Sequence, residues 1–297
     1  MGSSANAISE SPAEGWFTNE GLNLRFVEWG SPEKPAIVML HGLRSYAHTW
    51  EPVALALLDR WRVIALDQRG RGRSDWDPKG NYYTEDYVRD LEALADHLAL
   101  RRFVLLGHSM GGANGFVYAA RHPDRVAALV VEDMGPGASA NSGGADRIRR
   151  ELNETPSSFA TWSDAAAFWR RIRPDISAEA LQSRVKHSLK QGEDGMVTWC
   201  HDAVGIASAR LSAAPGKIVD LWPHVEALQM PTLLIRGANS DFLSAATAED
   251  MCRRNARIRR ADVPGATHYV HDDNLAGFNA VLQDFLTRVL GSSASWI

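Results

Sequence analysis

Only two of the 297 residues are cysteine, Cys200 and Cys252, far apart and in no Cys-x-x-Cys arrangement. That scarcity excludes a disulfide framework and a thiolate metal site, and both thiols read as free and buried. There is no surplus of positive charge: 32 Lys and Arg stand against 36 Asp and Glu, a formal net charge of −4. Nothing therefore favours nucleic acid or an anionic membrane as a partner. Apolar runs are short, and none approaches the roughly 20 residues that a membrane span needs. Met1 to Pro12 are small, polar and acidic rather than basic and then apolar, which does not match a secretory signal. The expectation is a cytoplasmic protein, monomer or homodimer, that handles a small molecule.

What the chain does contain is an alternation of strand-like and helix-like segments. Apolar residues make up 45% and charged residues 23%, the balance of a globular enzyme. Met1 to about Gly15, rich in Ser, Ala and Gly, reads as a flexible tail. Leu22 to Val27 alternates apolar and polar as a half-exposed strand does, and Ala36 to Leu40 is the continuous apolar run of a buried one. Further buried strands are predicted at Arg62 to Leu66, Phe103 to Leu106, Val126 to Val131, Thr232 to Ile235 and Ile258 to Val263. Glu85 to Leu98 and Asn274 to Leu290 repeat apolar residues at helical spacing, and Thr84 is placed to cap the first of them. Strands alternating with helices imply an α/β fold, a mostly parallel sheet with helices on both faces. The alternation stops between about Gly135 and Leu228. That stretch holds no convincing buried strand and is rich in Arg, Ala and Trp. Residues 136–228 are therefore read as a helical cap inserted between 16–135 and 229–297, the two parts of one catalytic domain.

The most informative motif is Gly107-His108-Ser109-Met110-Gly111, which follows an apolar strand and precedes a helix-compatible stretch. Glycine two residues either side of the serine permits a turn so sharp that Oγ stands clear of the sheet. The same turn aims the Met110 N–H at an oxyanion forming on a group bonded to that oxygen. A serine hydroxyl needs a general base, and the base needs an orienting acid. His268, in Pro264-Gly265-Ala266-Thr267-His268 after the last strand, is the base candidate. Asp241, past the Thr232 strand, is placed ahead of Asp133, past the Val126 strand, as the acid. His41-Gly42-Leu43 after a buried strand offers the Leu43 N–H as a second oxyanion donor. Arg44 either meets a substrate carboxylate or ties the cap down. Arg44, His108, Trp169 and Tyr269 are the candidate substrate contacts. Asp67-Gln68-Arg69-Gly70-Arg71-Gly72-Arg73-Ser74 lacks the ending of a phosphate-binding loop and reads as structural.

Taken in order, His41-Gly42, the Asp67 to Ser74 loop, Gly107 to Gly112, the Arg236 to Ser244 loop and Gly265-x-x-His268 resemble the α/β-hydrolase superfamily, in its capped bacterial branch. The resemblance implies Ser109 as nucleophile, His268 as base, Asp241 as acid, and the Leu43 and Met110 amides as oxyanion hole. It implies no metal and no organic cofactor. A serine rather than an aspartate at the elbow argues against epoxide hydrolases and haloalkane dehalogenases. Esterases, lactonases, amide hydrolases and carbon–carbon hydrolases remain, as do non-catalytic receptors of the same fold. The ending around His268 also resembles (acetamidomethylene)succinate hydrolases, amide-cleaving relatives in which the acid follows the earlier strand; that keeps Asp133 open.

Overall fold

A computed structural model of the chain describes residues 12–139, 142–213 and 216–290. Its frame is an eight-stranded sheet. In chain order the strands are β1 Ala13–Asn19, β2 Leu22–Trp29, β3 Ala36–Leu40, β4 Arg62–Leu66, β5 Phe103–His108 and β6 Val126–Glu132, then β10 Thr232–Gly237 and β11 Ile258–Val263. The spatial order is β1-β2-β4-β3-β5-β6-β10-β11, parallel throughout except where β2 meets β1 and β4. Side chains alternate between two apolar layers, as the period of a strand requires. Val38 and Leu40, Leu105, and Leu129 and Val131 enter one core with Val88, Leu91 and Leu94 of the helix Thr84–His97. Ile37 and Met39, Val104 and Leu106, and Ala128 and Val130 enter the other with Phe278, Leu282 and Phe285 of the helix Leu275–Leu290.

Two readings of the N-terminal part are corrected. The expected tail, 1–15, lies outside the described residues up to position 11, but residues 13–15 are already in β1. That strand pairs with β2 through a two-residue turn, Glu20 at φ 50° and Gly21 at φ 82°, the left-handed pair that a tight hairpin needs. Thr84 is the first helical residue rather than the cap; Tyr83 is the cap, and its N–H donates to the Asp86 carboxylate at 2.9 Å.

The insertion between β6 and β10 is not purely helical, contrary to expectation. The helices Gly143–Glu154, Trp162–Ile172, Ala178–Ser188 and Ala203–Leu211 accompany a small antiparallel sheet of β7 Ser158–Phe159, β8 Leu189–Gln191 and β9 Val197–Trp199, in the order β7-β9-β8. Phe159, Phe168, Trp169, Leu181, Val197 and Trp199 form a separate apolar cluster, with Trp169 and Trp199 edge to face at 5.7 Å. Leu221, Val225 and Leu228 belong instead to the core of the main body, so the insertion ends before them rather than at 228.

The glycine- and arginine-rich loop between β4 and the helix Thr84–His97 is structural, as its sequence suggested. The Asp67 carboxylate accepts from Arg25 at 2.7 Å and from the amides of Ala47 and Arg73 at 2.6 and 3.1 Å. Arg69 has no solvent exposure and meets Asp90 through two hydrogen bonds of 2.6 and 2.7 Å. Removing one partner of such a pair leaves a buried charge uncompensated. Asp90→Ala is expected to lower the unfolding free energy by about 3–5 kcal/mol in a denaturant titration; a loss below about 1 kcal/mol would show that Glu20 and Asp77 satisfy Arg69 without it.

Candidate active site

Ser109 sits at the end of β5 with φ 51° and ψ −115°, immediately before the helix Met110–Arg121. Strain of this kind in a non-glycine residue persists only where its surroundings over-determine it. The surroundings are backbone. A Cβ on Gly107 would lie 2.3 Å from the Gly111 carbonyl oxygen, and one on Gly111 would lie 2.3 Å from that of Leu40. The two glycines let strand, turn and helix touch main chain to main chain, and the serine is what projects from the corner.

His268 Nε2 lies 3.0 Å from Ser109 Oγ, and His268 Nδ1 lies 2.8 Å from Asp133 Oδ2. A carboxylate facing Nδ1 holds the proton there and leaves Nε2 as the acceptor for the serine hydroxyl. Asp133 is fully buried at φ 50°, and it takes two more hydrogen bonds, from the Gly237 amide at 3.2 Å and the Ser240 hydroxyl at 2.5 Å. Asp241, placed ahead by sequence, is not on His268. Its carboxylate is gripped by Arg147 through two bonds of 2.9 and 3.0 Å, and that guanidinium holds the carboxyl below its usual range. Asp133 follows the end of β6 directly, beside the serine corner at the end of β5, whereas Asp241 lies four residues past the end of β10 and turns to Arg147 of the insertion.

The β3 loop reaches the same corner. The Gln68 amide donates to His41 Nε2 at 3.2 Å, and His41 Nδ1 lies 2.8 Å from the Gly42 carbonyl. Burial pushes the His41 imidazole down to about 4, so it stays neutral and this tautomer is fixed at neutral pH. A Cβ on Gly42 would meet the His108 ring at 2.7 Å. Arg71 donates to the Leu43 carbonyl at 2.9 Å, holding the peptide that follows. The Met110 amide opens its helix and therefore has no partner within it. His108 borders the site beside Ser109, as expected, and donates through Nε2 to the His268 carbonyl at 2.9 Å; burial, with His268 and His271 nearby, lowers its affinity for a proton. Arg44 is occupied. It ion-pairs with Glu151 and donates to Thr155 at 2.9 Å, so of its two expected roles the structure supports the tie to the insertion.

Two cavities meet at Ser109, and Leu43 and Ile148 line both. The larger, of about 390 Å³, is walled mainly by apolar side chains, among them Met110, Met134, Leu152, Val219 and Phe242. The smaller, of about 30 Å³, is lined by Ser45, His108, Trp169, Arg184, His268, Tyr269 and His271. Trp169 and Tyr269 thus border the site as expected, with Arg173 stacked 4.0 Å from the Tyr269 ring centre.

The model of the α/β hydrolase fold family matches residues 35–275. The chain belongs to the α/β-hydrolase family. It is 32% identical over 251 residues to 2-(acetamidomethylene)succinate hydrolase of Mesorhizobium japonicum, covering 84% of this chain and 86% of that one. It is 28% identical to an esterase of Mycobacterium tuberculosis, over 83% of this chain and 80% of the relative. The crystal structure of E-2-(acetamidomethylene)succinate hydrolase superposes with a TM-score of 0.83 at 27% identity, covering 93% of this chain and 99% of that one.

Several side chains of this hydrolase gave no sign of themselves in the sequence. Glu132 is fully buried beside Asp133 and binds His271 Nδ1 at 2.8 Å. Burial opposes charge on His271, but Glu132 and Asp272 outweigh it and raise its affinity for a proton. Arg184, one arginine among many, pairs with Asp272 at 2.5 Å beneath Trp169. Only its helical setting was foreseeable. The two aspartates separate experimentally. Asp133→Asn keeps a side chain that tolerates positive φ but loses the charge on His268, and is expected to slow acylation by an activated ester about 10⁴-fold. Asp241→Asn is expected to stay within a few-fold of wild type in the same stopped-flow assay, and the reverse ranking would restore Asp241.

Proposed function

We propose that this hydrolase cleaves a carboxylic ester of a small molecule through an acyl-enzyme on Ser109. The observation that carries this reading is the unbroken hydrogen-bonded chain from the Ser109 hydroxyl through His268 to the buried Asp133 carboxylate. Similarity to an esterase over most of both chains supports the bond type.

In the proposed sequence His268 Nε2 takes the Ser109 proton as Oγ attacks the carbonyl carbon. The Leu43 and Met110 amides hold the oxyanion, an interaction worth about 10²–10³ in rate for each donor. Asp133 stabilises the imidazolium without itself taking the proton. The imidazolium then protonates the departing alcohol oxygen as the acyl carbon–oxygen bond breaks. Water, deprotonated by the same histidine, releases the acid and restores the hydroxyl. Every proton moved in this sequence is carried by the chain, the substrate or water, so the chemistry calls for no cofactor. Apolar walls suit the 390 Å³ cavity to an aliphatic acyl chain. A second reading, amide cleavage by the same steps, is favoured by the similarity to 2-(acetamidomethylene)succinate hydrolase.

Treatment with a fluorophosphonate followed by peptide mapping tests the mechanism before any substrate is known. One adduct is expected on Ser109 in the wild type and none in Ser109→Ala. A folded wild-type protein that takes no label would favour a ligand receptor over an enzyme. Parallel assays on a nitrophenyl ester and the matching anilide then separate the two readings, with the ester expected to turn over and the anilide not.

A further inference from the structure

The two cavities at Ser109 differ in size and in lining residues, and the position of His268 decides which part of an ester enters each. The proton donor must reach the oxygen that leaves. His268 lines the small cavity and is absent from the lining of the large one, which Met110 borders instead. The acyl chain therefore extends into the large apolar cavity, and the alcohol portion sits in the small one.

A volume of about 30 Å³ holds roughly two or three water-sized groups, so the alcohol arm is short. Its wall is mostly apolar in area, but three of the residues in it carry a polar atom left without a partner. Ser45 Oγ, Trp169 Nε1 and Arg184 Nε are buried with no hydrogen-bond partner among the described residues, and Trp169 and Arg184 are 2% and 3% exposed. Indole and guanidinium N–H groups only donate. What completes this wall is an oxygen that accepts.

The charge of that oxygen follows from the ion pairs. Among the described residues, both arginines bordering the cavity already have a carboxylate, Asp272 at 2.5 Å for Arg184 and Glu151 for Arg44, and the His271 ring faces Glu132 at 2.8 Å. An anionic group would meet no uncompensated positive charge, and burying it unpaired is costly. A neutral acceptor fits. Resting on the esterase reading above, we propose that the small cavity is a leaving-group site for a short hydroxylated alcohol, of the ethylene glycol kind, whose second oxygen accepts from Trp169 and Arg184. The bond broken is the acyl carbon–oxygen bond to that alcohol, which departs with the proton from His268.

Three hexanoate esters test this, with ethyl, 2-hydroxyethyl and 2-carboxyethyl leaving groups. The readout is the ratio of kcat/KM values within one protein, which cancels differences in active fraction. In the wild type the hydroxyethyl ester is expected to exceed the ethyl ester by about 10-fold or more, with the carboxyethyl ester poorest. Trp169→Phe, which deletes the indole donor and keeps an aromatic ring, is expected to bring the hydroxyethyl-to-ethyl ratio toward one. If that variant fails to fold, Ser45→Ala carries the same comparison with a smaller fall expected. A wild-type ratio near one, a preference for the carboxyethyl ester, or an unchanged ratio in the folded variants would overturn the leaving-group site while fluorophosphonate labelling of Ser109 leaves the hydrolase mechanism standing. No turnover of any ester together with no labelling would overturn the esterase reading, and this inference with it.

Discussion

A carboxylate with no access to water must find all its partners inside the protein, and Asp133 finds three of them on two separate pieces of chain. Gly237 comes from the end of β10, Ser240 from the loop beyond it, and His268 from the loop after β11. Each partner fixes a neighbour. Ser240 Oγ also accepts from the amides of Phe242 and Leu243 at 3.1 Å, and Phe242 in turn lies 4.3 Å from the His268 ring. The loop that carries the imidazole is thereby fastened from two sides. Unpairing this acid would cost both the tautomer of His268 and the shape of the β10 loop.

The frame was legible because its signals are long and regular. β3 and β4 have the bounds that their apolar runs predicted, since a strand buried on both faces reads as continuous hydrophobicity; β11 has the predicted bounds too, but it is the sheet's edge strand and only its end residues Ile258 and Val263 are buried, not the buried strand expected. What escaped had too little sequence to show a period. β7, β8 and β9 are two or three residues each, below the length at which alternation can be told from chance. β1 was hidden among small polar neighbours, although Trp16 and Phe17 lie within it.

The elbow glycines and Ser109 could be read because their requirement is local: the clash is with residues two to four positions away, or with the adjacent β3. Asp133 and Asp241 could not be ranked in the same way. Both follow a parallel strand, and what separates them is the partner each side chain meets, His268 for Asp133 and Arg147 for Asp241. Such partners are a property of tertiary packing and leave no mark on the residues beside either aspartate. The same holds for Arg44, whose partners Glu151 and Thr155 are more than a hundred residues away.

The insertion's arginines find their meaning here too. Arg147 binds Asp241, and Arg173 and Arg184 converge on Asp272 and Asp273, just after His268. Between Phe159 and Trp199 the insertion keeps an apolar core that, among the described residues, takes in no side chain of the main body. The hydrogen-bonded chain of Ser109, His268 and Asp133 thus lies wholly in the main body, whereas Ile148, Leu152, Trp169 and Arg184 of the insertion share in walling the cavities. The interior of that segment can be redrawn by drift or design while the serine corner stays untouched, provided that a few guanidinium–carboxylate latches are preserved. A lineage built this way can diversify what it accepts without relearning how to catalyse.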